Sequence, residues 1–439
     1  MRTLITGARI LGGEAADLLV DGGTIVEVGS LTAGRDTQVV DADGLVALPG
    51  LVDLHVHLRE PGREDAETIS TGAEAAAAGG FTAVLAMANT DPVTDTAEAA
   101  ERILDLGRAT HLVDVQPVGA VTKGLAGQEL AELGLMARSR ARVRVFSDDG
   151  HCVSDARVMR RALEYVKAFG GVVSQHAQDP RLADHSACAH ESELSGRLGL
   201  PGWPGIAEES IVARDVMLAR HTGSRVHIAH VSTAGSVEVI RWAKAQGVDV
   251  TAEVTPHHLV LTHDLLSGYD PVYKVNPPLR PEEDVRALRA ALADGTIDAV
   301  ATDHAPHARH DKEHAFADAA FGMLGLETAL SVVSDVMVQG PDGLLDWAGV
   351  ARVMSTNPAR IAGLAGHGRP LAVGSPANIT LVDPAAVLTV DRDASHSLSR
   401  NNPWHGRTLT GAVRATFIRG ACSARDGRVL LPELLGSQQ

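Results

Sequence analysis

Along the middle of the chain, short apolar runs that fit buried strands alternate with segments whose apolar positions recur at helical spacing. Strand-like runs fall at Gly50 to Leu58, Phe81 to Asn89, His111 to Val121, Arg142 to Asp149 and Val172 to His176. Three more follow at Arg225 to Ser232, Val248 to Thr255 and Ile297 to Thr302. Between them lie helix-compatible stretches, among them Glu67 to Ala78, Ala97 to Leu106, Asp155 to Ala168, Glu208 to Arg220, Ser236 to Gln246 and Glu282 to Ala293. The early strands recur about every thirty residues, the length of one βα unit. This alternation predicts an α/β protein with a (β/α)8 TIM-type barrel over residues 50–365.

The two ends have a different texture. From Arg2 to Val46 the chain reads as short β-runs broken by turns, with Val20 to Ile25 as a hairpin whose Asp21-Gly22 supplies the positive φ of a tight turn. Ala377 to Val382, Val387 to Val390 and Ala415 to Gly420 are strand candidates of the same kind. Neither end suffices for a sheet with its own core. Residues 1–49 and 366–439 are therefore expected to form one small composite β-sandwich domain.

Composition narrows the possibilities. At 439 residues, with 45% hydrophobic and 21% charged residues, the chain can bury a large core without staples. Aromatics make up only 3%, so Ala, Val and Leu must carry most of the packing. A net charge of −16 and the lack of any Lys/Arg block argue against gripping nucleic acid or an anionic membrane. No stretch has the apolar length of a membrane span, and the first residues lack the pattern of a secretory signal, so a cytoplasmic protein is expected. Cys152, Cys188 and Cys422 lack metal-site spacing and fit a reducing compartment, with Cys152 read as a small buried residue.

Chemistry collects at the strand ends. His55 and His57 close the first strand two residues apart, which puts both imidazoles on one face. Asp148 and Asp149 close the fourth strand, His176 the fifth, His230 the sixth and Asp303 the eighth. In a barrel these ends share one face, where active sites are built. Nitrogen and oxygen donors without thiolate suit zinc-type ions, and they exceed the needs of one four-coordinate ion. The expectation is a two-metal site: His55, His57 and Asp303 around one ion, His176 and His230 around the other, and a carboxylate bridging both.

Read together and in order, HVHLREPG, FSDDG, SQHAQD, HIAHVST, TAEVTPHHL, YKVNPPLR, ATDHAPH and FGMLGLET resemble the bacterial class I dihydroorotases of the amidohydrolase superfamily over nearly the whole chain. The resemblance implies zinc-dependent, reversible cyclisation of N-carbamoyl-L-aspartate to L-dihydroorotate in pyrimidine biosynthesis. It implies two Zn2+ per chain, a metal-bridging hydroxide as nucleophile and Asp303 as general acid/base. Relatives that use a carboxylated lysine as bridge differ here, because the chain has no Lys between Lys123 and Lys167. The family pattern puts the bridge on Asp149; the pleat lets only one of Asp148 and Asp149 face the mouth, and a loop could reverse them.

The resemblance also implies a substrate pocket. His57, Arg59, Asn89, Asn276, His307 and the Phe321-Gly322 backbone match the family's substrate contacts, with Arg59 suited to pair a carboxylate in bidentate fashion. His257 and His258 read as structural or supporting residues. Ala88 and Ala320 stand where the family usually has proline, which is expected to loosen the Asn89 turn or the loop from Ala308 to Ala320. That polar, histidine-rich loop reads first as a solvated segment; the alternative is a mobile lid whose His310 and His314 could bind extra metal. A homodimer and an aspartate carbamoyltransferase partner are the expected associations.

Two other readings compete. A hydantoinase or allantoinase is disfavoured by the missing bridging lysine and by the Arg59, Asn89 and His307 set, which a substrate without that carboxylate would not need. A non-catalytic subunit that scaffolds the carbamoyltransferase would be expected to lose metal ligands, and this chain keeps them all.

Overall fold

A computed structural model describes residues 2–430. Eight parallel strands form its centre: β1 (Leu51–Val56), β2 (Phe81–Ala86), β3 (Asp114–Pro117), β4 (Val145–Phe146), β5 (Val172–Gln175), β6 (Val226–Ile228), β7 (Val250–Val254) and β8 (Ala299–Val300). Continuous pairing gives one arc of β1, β2 and β3 and another running from β4 through β5, β6 and β7 to β8. Single bridges join the arcs on both sides, Gly119 to Phe146 and Val56 to His304. Several strands are shorter than their apolar runs. Only Val145 and Phe146 pair within the run Arg142 to Asp149, because the chain leaves the ladder where Asp148 takes the backbone N–H groups of Val121 and Thr122.

The expected helices form, and local chemistry sets their ends. Asp155 caps Ala156–Lys167 by accepting from the backbone N–H of Arg157 and Val158, and the buried face is Val158, Met159, Ala162, Leu163 and Val166. Thr96 caps Ala97–Thr110, which ends at His111 in the left-handed conformation. Ile69–Ala78 buries Ala73, Ala75, Ala76 and Ala77, and this run of small side chains brings it close to the strands. At its end, a Cβ on Gly79 would lie 2.1 Å from the Leu326 carbonyl, so only glycine fits. Among the described residues no helix is long and apolar enough to cross a membrane.

Nine strands from both ends of the chain form one hydrogen-bonded sheet. Arg2–Ile10 changes partner along its length, pairing Thr37–Asp41 through Arg2 to Thr6 and Val46–Pro49 through Arg9 and Ile10. Both arms of the sheet fill one core containing Ile5, Leu18, Ile25, Ile379, Leu381 and Phe417. The hairpin turn is Gly22-Gly23, both at positive φ, rather than Asp21-Gly22, because Asp21 is the last strand residue and pairs with Thr24. The runs Ala377 to Val382 and Val387 to Val390 lie on one strand, Ile379–Thr389. Its pairing is interrupted between Asp383 and Val387, where the Asp383 carboxylate accepts from the N–H groups of Ala385 and Ala386.

Val46–Pro49 pairs with Ile379 to Val382 in this outer sheet and, after Gly50 alone, continues as β1. Gly50 donates to the Asn378 carbonyl at 2.8 Å, and a Cβ there would meet the Thr82 side chain at 2.3 Å. A second tie joins the sheet to β3: Asp114 accepts from His367 at 2.8 Å and from Arg419 at 2.7 Å.

Candidate metal centre and substrate pocket

The predicted ligands lie at or just past the C-terminal ends of β1, β4, β5, β6 and β8, and they converge. Asp149 stands at the middle. Its Oδ2 is 3.3 Å from Nε2 of both His55 and His57, and its Oδ1 is 3.4 Å from His176 Nδ1 and 3.2 Å from His230 Nε2. Asp303 Oδ1 closes the first group, 3.1 Å from His57 Nε2 and 3.6 Å from His55 Nε2. Asp148 points elsewhere: it accepts from the N–H groups of Val121 at 2.7 Å and Thr122 at 2.9 Å and from the Thr122 hydroxyl. The two neighbouring acids thus have opposite surroundings.

The backbone bends sharply to bring these groups in. Arg59, His230 and Asp303 have φ of 59°, 31° and 46°, a region that side-chain-bearing residues rarely adopt. Strain held at three positions around one cluster is typical of functional sites.

Three of the four imidazoles are anchored through the nitrogen that faces away from the cluster. His55 Nδ1 donates to Glu253 at 2.9 Å, His57 Nδ1 to the Asn89 side-chain oxygen at 2.9 Å and His176 Nε2 to Gln178 at 2.8 Å. Each bond fixes the tautomer and leaves a lone pair on the inward nitrogen. Glu253 also takes His227 Nε2–H at 3.0 Å, and His227 Nδ1 meets the Thr251 hydroxyl at 2.8 Å. Burial opposes ionisation of Asp149, but the surrounding histidines, His55 foremost, hold its carboxyl well below the usual range. Asp303 is lowered in the same way against burial, by His55 and His57.

The donor set fits metal ions. His55 Nε2 is buried without a hydrogen-bond partner, and His176 Nδ1 and His230 Nε2 face each other at 2.9 Å beside a carboxylate. A cation satisfies both arrangements, and imidazole with carboxylate is a ligand chemistry for zinc-type ions.

The expected substrate groups gather beside this cluster. Arg59 Nε donates to the Pro306 carbonyl at 3.0 Å, and its Nη2 approaches His307 Nε2 at 3.3 Å. His307 Nε2 is a donor to the Phe321 carbonyl at 2.6 Å, so the Arg59 head needs a different acceptor. Burial lowers the Arg59 pKa to about 10 and, with Arg59 and Lys312 nearby, the His307 pKa to about 2, so His307 stays neutral. Asn276 Nδ2 donates to Gln178 at 3.3 Å, while its Oδ1 is buried without a partner. At Gly322, φ is 144° and a Cβ would lie 2.8 Å from Ala305, so the backbone passes where no side chain fits.

Several expectations need correction. The loop from Ala308 to Ala320 exposes Arg309, His310, Glu313 and His314, as a solvated segment would, but buries Lys312, Phe316 and Ala319. Nor does Ala320 loosen it: its N–H donates to the Asp311 carbonyl at 2.9 Å, a bond that proline could not make. His310 sits near Asp65 and Asp311, but Arg63 already pairs with both acids. His258 is structural, bonded to Thr255 at 2.8 Å and to the Pro277 carbonyl at 3.1 Å, whereas His257 Nε2 is buried without a partner. Burial pushes the Cys152 thiol up to about 12, in keeping with an inert packing residue. Sequence reasoning missed Glu253 and Gln178. An acid inside the apolar run of β7, and an amide two residues past a ligand histidine, were the available signals.

Imidazoles and carboxylates thus converge at parallel-strand ends, with the partly buried Arg59 beside them. A Dihydro-orotase-like family model matches residues 44–236. A dihydroorotase of Streptomyces coelicolor is 61% identical over 428 residues, covering 98% of this chain and 99% of its own. One of Mycobacterium tuberculosis is 57% identical over 431 residues, covering 98% and 100%. Among solved structures, an L-hydantoinase (dihydropyrimidinase) of Arthrobacter aurescens superposes with a TM-score of 0.87 at 27% identity, over 98% of this chain and 97% of its own. A dihydropyrimidinase of Brevibacillus agri shares the fold, with a TM-score of 0.85 at 24% identity over 98% and 96%. The chain belongs to the dihydroorotase family.

Proposed function

We propose that this chain catalyses the reversible ring closure of N-carbamoyl-L-aspartate to L-dihydroorotate, with His55, His57, Asp149, His176, His230 and Asp303 holding two zinc ions. The observation that carries this reading is Asp149, whose two carboxylate oxygens each face a separate pair of histidines at 3.2 to 3.4 Å. When bound, two such ions activate a shared water near neutral pH and polarise the carbonyl under attack. Asp303 takes the proton of the attacking water in the hydrolytic direction and returns it to the leaving ring nitrogen; ring closure runs the same transfer backwards. Arg59, Asn89 and His307 hold the substrate carboxylate, and Asn276 with the Phe321-Gly322 backbone holds the ring. Assays of zinc-loaded protein on dihydroorotate, hydantoin and allantoin test the reading. Turnover of dihydroorotate alone is expected, and turnover of hydantoin alone overturns it.

The same reading makes residues 50–365 a (β/α)8 barrel closed through the two single bridges, with 1–49 and 366–439 as its composite β-domain. It places the protein in the cytoplasm as a homodimer able to engage aspartate carbamoyltransferase. Sedimentation with and without that transferase checks the associations.

A further inference from the structure

Lys312 ends the short helix Arg309–Lys312 and is only 8% exposed. Among the described residues no carboxylate comes within ion-pair distance of its ammonium. Instead its Nζ donates to three backbone carbonyls: Ala320 at 2.8 Å, Gly322 at 3.1 Å and Lys274 at 3.3 Å. These use all three N–H donors of the ammonium. Ala320 and Gly322 flank Phe321, and Lys274 lies two residues before Asn276. One buried cation therefore gathers the backbone on both sides of the ring pocket. Neighbouring bonds tie the same loop segments together: Gly322 N–H donates to the Lys274 carbonyl at 2.9 Å, and the Lys274 ammonium reaches the Ala317 carbonyl at 2.7 Å and lies 4.4 Å from the centre of the Phe321 ring.

A buried charge without a counter-ion is costly. Burial, with Lys274 adding to it, pulls the Lys312 pKa down to about 7. An apolar side chain would fill the same space without that cost, so the retained ammonium needs a reason beyond packing.

We propose that Lys312 is a positioning residue for the substrate, its ammonium holding the Ala320, Gly322 and Lys274 carbonyls so that Phe321, Gly322 and Asn276 meet the ring in a fixed arrangement. This rests on the assignment of those three residues as substrate contacts. The ammonium does not touch the reacting atoms and leaves the metal ligands alone.

The test is steady-state kinetics on the zinc-loaded full chain with dihydroorotate. Lys312→Met should raise KM by about tenfold or more while kcat stays within about threefold, the mark of lost binding that does not reach the chemical step. Zinc content should match that of the unaltered protein. Lys312→Gln, which keeps an N–H donor, should fall between the two. A purely structural staple would instead lower Tm and leave KM of the folded fraction unchanged, and that result overturns the proposal. Asn276→Ala separates the two levels of inference. If it raises KM and Lys312→Met does not, the positioning role alone fails; if Asn276→Ala also leaves KM unchanged, the pocket assignment fails with it. Should Lys312→Met not fold, the conservative variant carries the same test. The kinetics are then decided by Lys312→Gln alone: a raised KM with zinc content unchanged supports the clamp, and an unaltered KM overturns it.

Discussion

Glu253 accepts a hydrogen bond from His55 Nδ1 at 2.9 Å, and this one contact makes His55 Nε2 the nitrogen that carries a free lone pair. The carboxylate belongs to β7, with β8 between it and β1, and it also accepts from His227 Nε2 and from the His230 backbone N–H. Glu253→Gln keeps the shape and removes the charge. Zinc affinity measured by competition with a chelator should fall about 10- to 100-fold, as is usual when the partner of a metal-bound histidine is lost.

Asp149→Ala removes the group shared by both histidine pairs. Elemental analysis of the purified variant should show at least one fewer zinc ion per chain than the unaltered protein. Full occupancy would refute the bridging role. Asp148→Asn should retain zinc and lose stability instead, because Asp148 serves the Val121 and Thr122 backbone.

Arg59→Lys keeps a positive charge but lacks the planar fork that can hold the Pro306 carbonyl and a carboxylate together. KM for dihydroorotate should rise about tenfold or more, with zinc content unchanged. An unaltered KM would remove Arg59 from the substrate pocket.

Asp114 links β3 to the outer sheet and offers a pH test. Burial alone would raise its carboxyl, but hydrogen bonds from His367 and Arg419 outweigh burial and hold it at about 2, below its ordinary 3.8. A depressed carboxyl stabilises the fold above its unfolded pKa, and that contribution is lost as pH falls through the folded value. Asp114→Asn should therefore cost about 2 kcal/mol near neutral pH. Denaturant titrations should show the gap to the unaltered protein closing between about pH 4 and pH 2.

The strand ends were legible because barrel topology sends every βα turn to one face, so His55, His57, His176, His230 and Asp303 could be gathered from spacing alone. The choice between Asp148 and Asp149 was not. β4 is two residues long, and the alternation of a pleat says little once the chain has left the ladder. Glu253 was hidden for a different reason: an acid inside a strand reads as an interruption, and its partners His55 and His227 lie on other strands. Lys312 was read with its polar neighbours as solvated, since three backbone carbonyls distant in sequence leave no trace in local composition. Resemblance supplied what spacing could not, namely the pocket residues Asn89, Asn276 and His307.

Gly50 is the only residue between the outer-sheet strand Val46–Pro49 and β1, so the sheet and the first two ligands lie in mechanical series. Tension applied through Ile379–Thr389 would run along one extended segment to His55 and His57 with no helix or flexible loop to absorb it. A sheet drawn from both ends of the chain is thus joined, through one glycine, to the segment that carries His55 and His57.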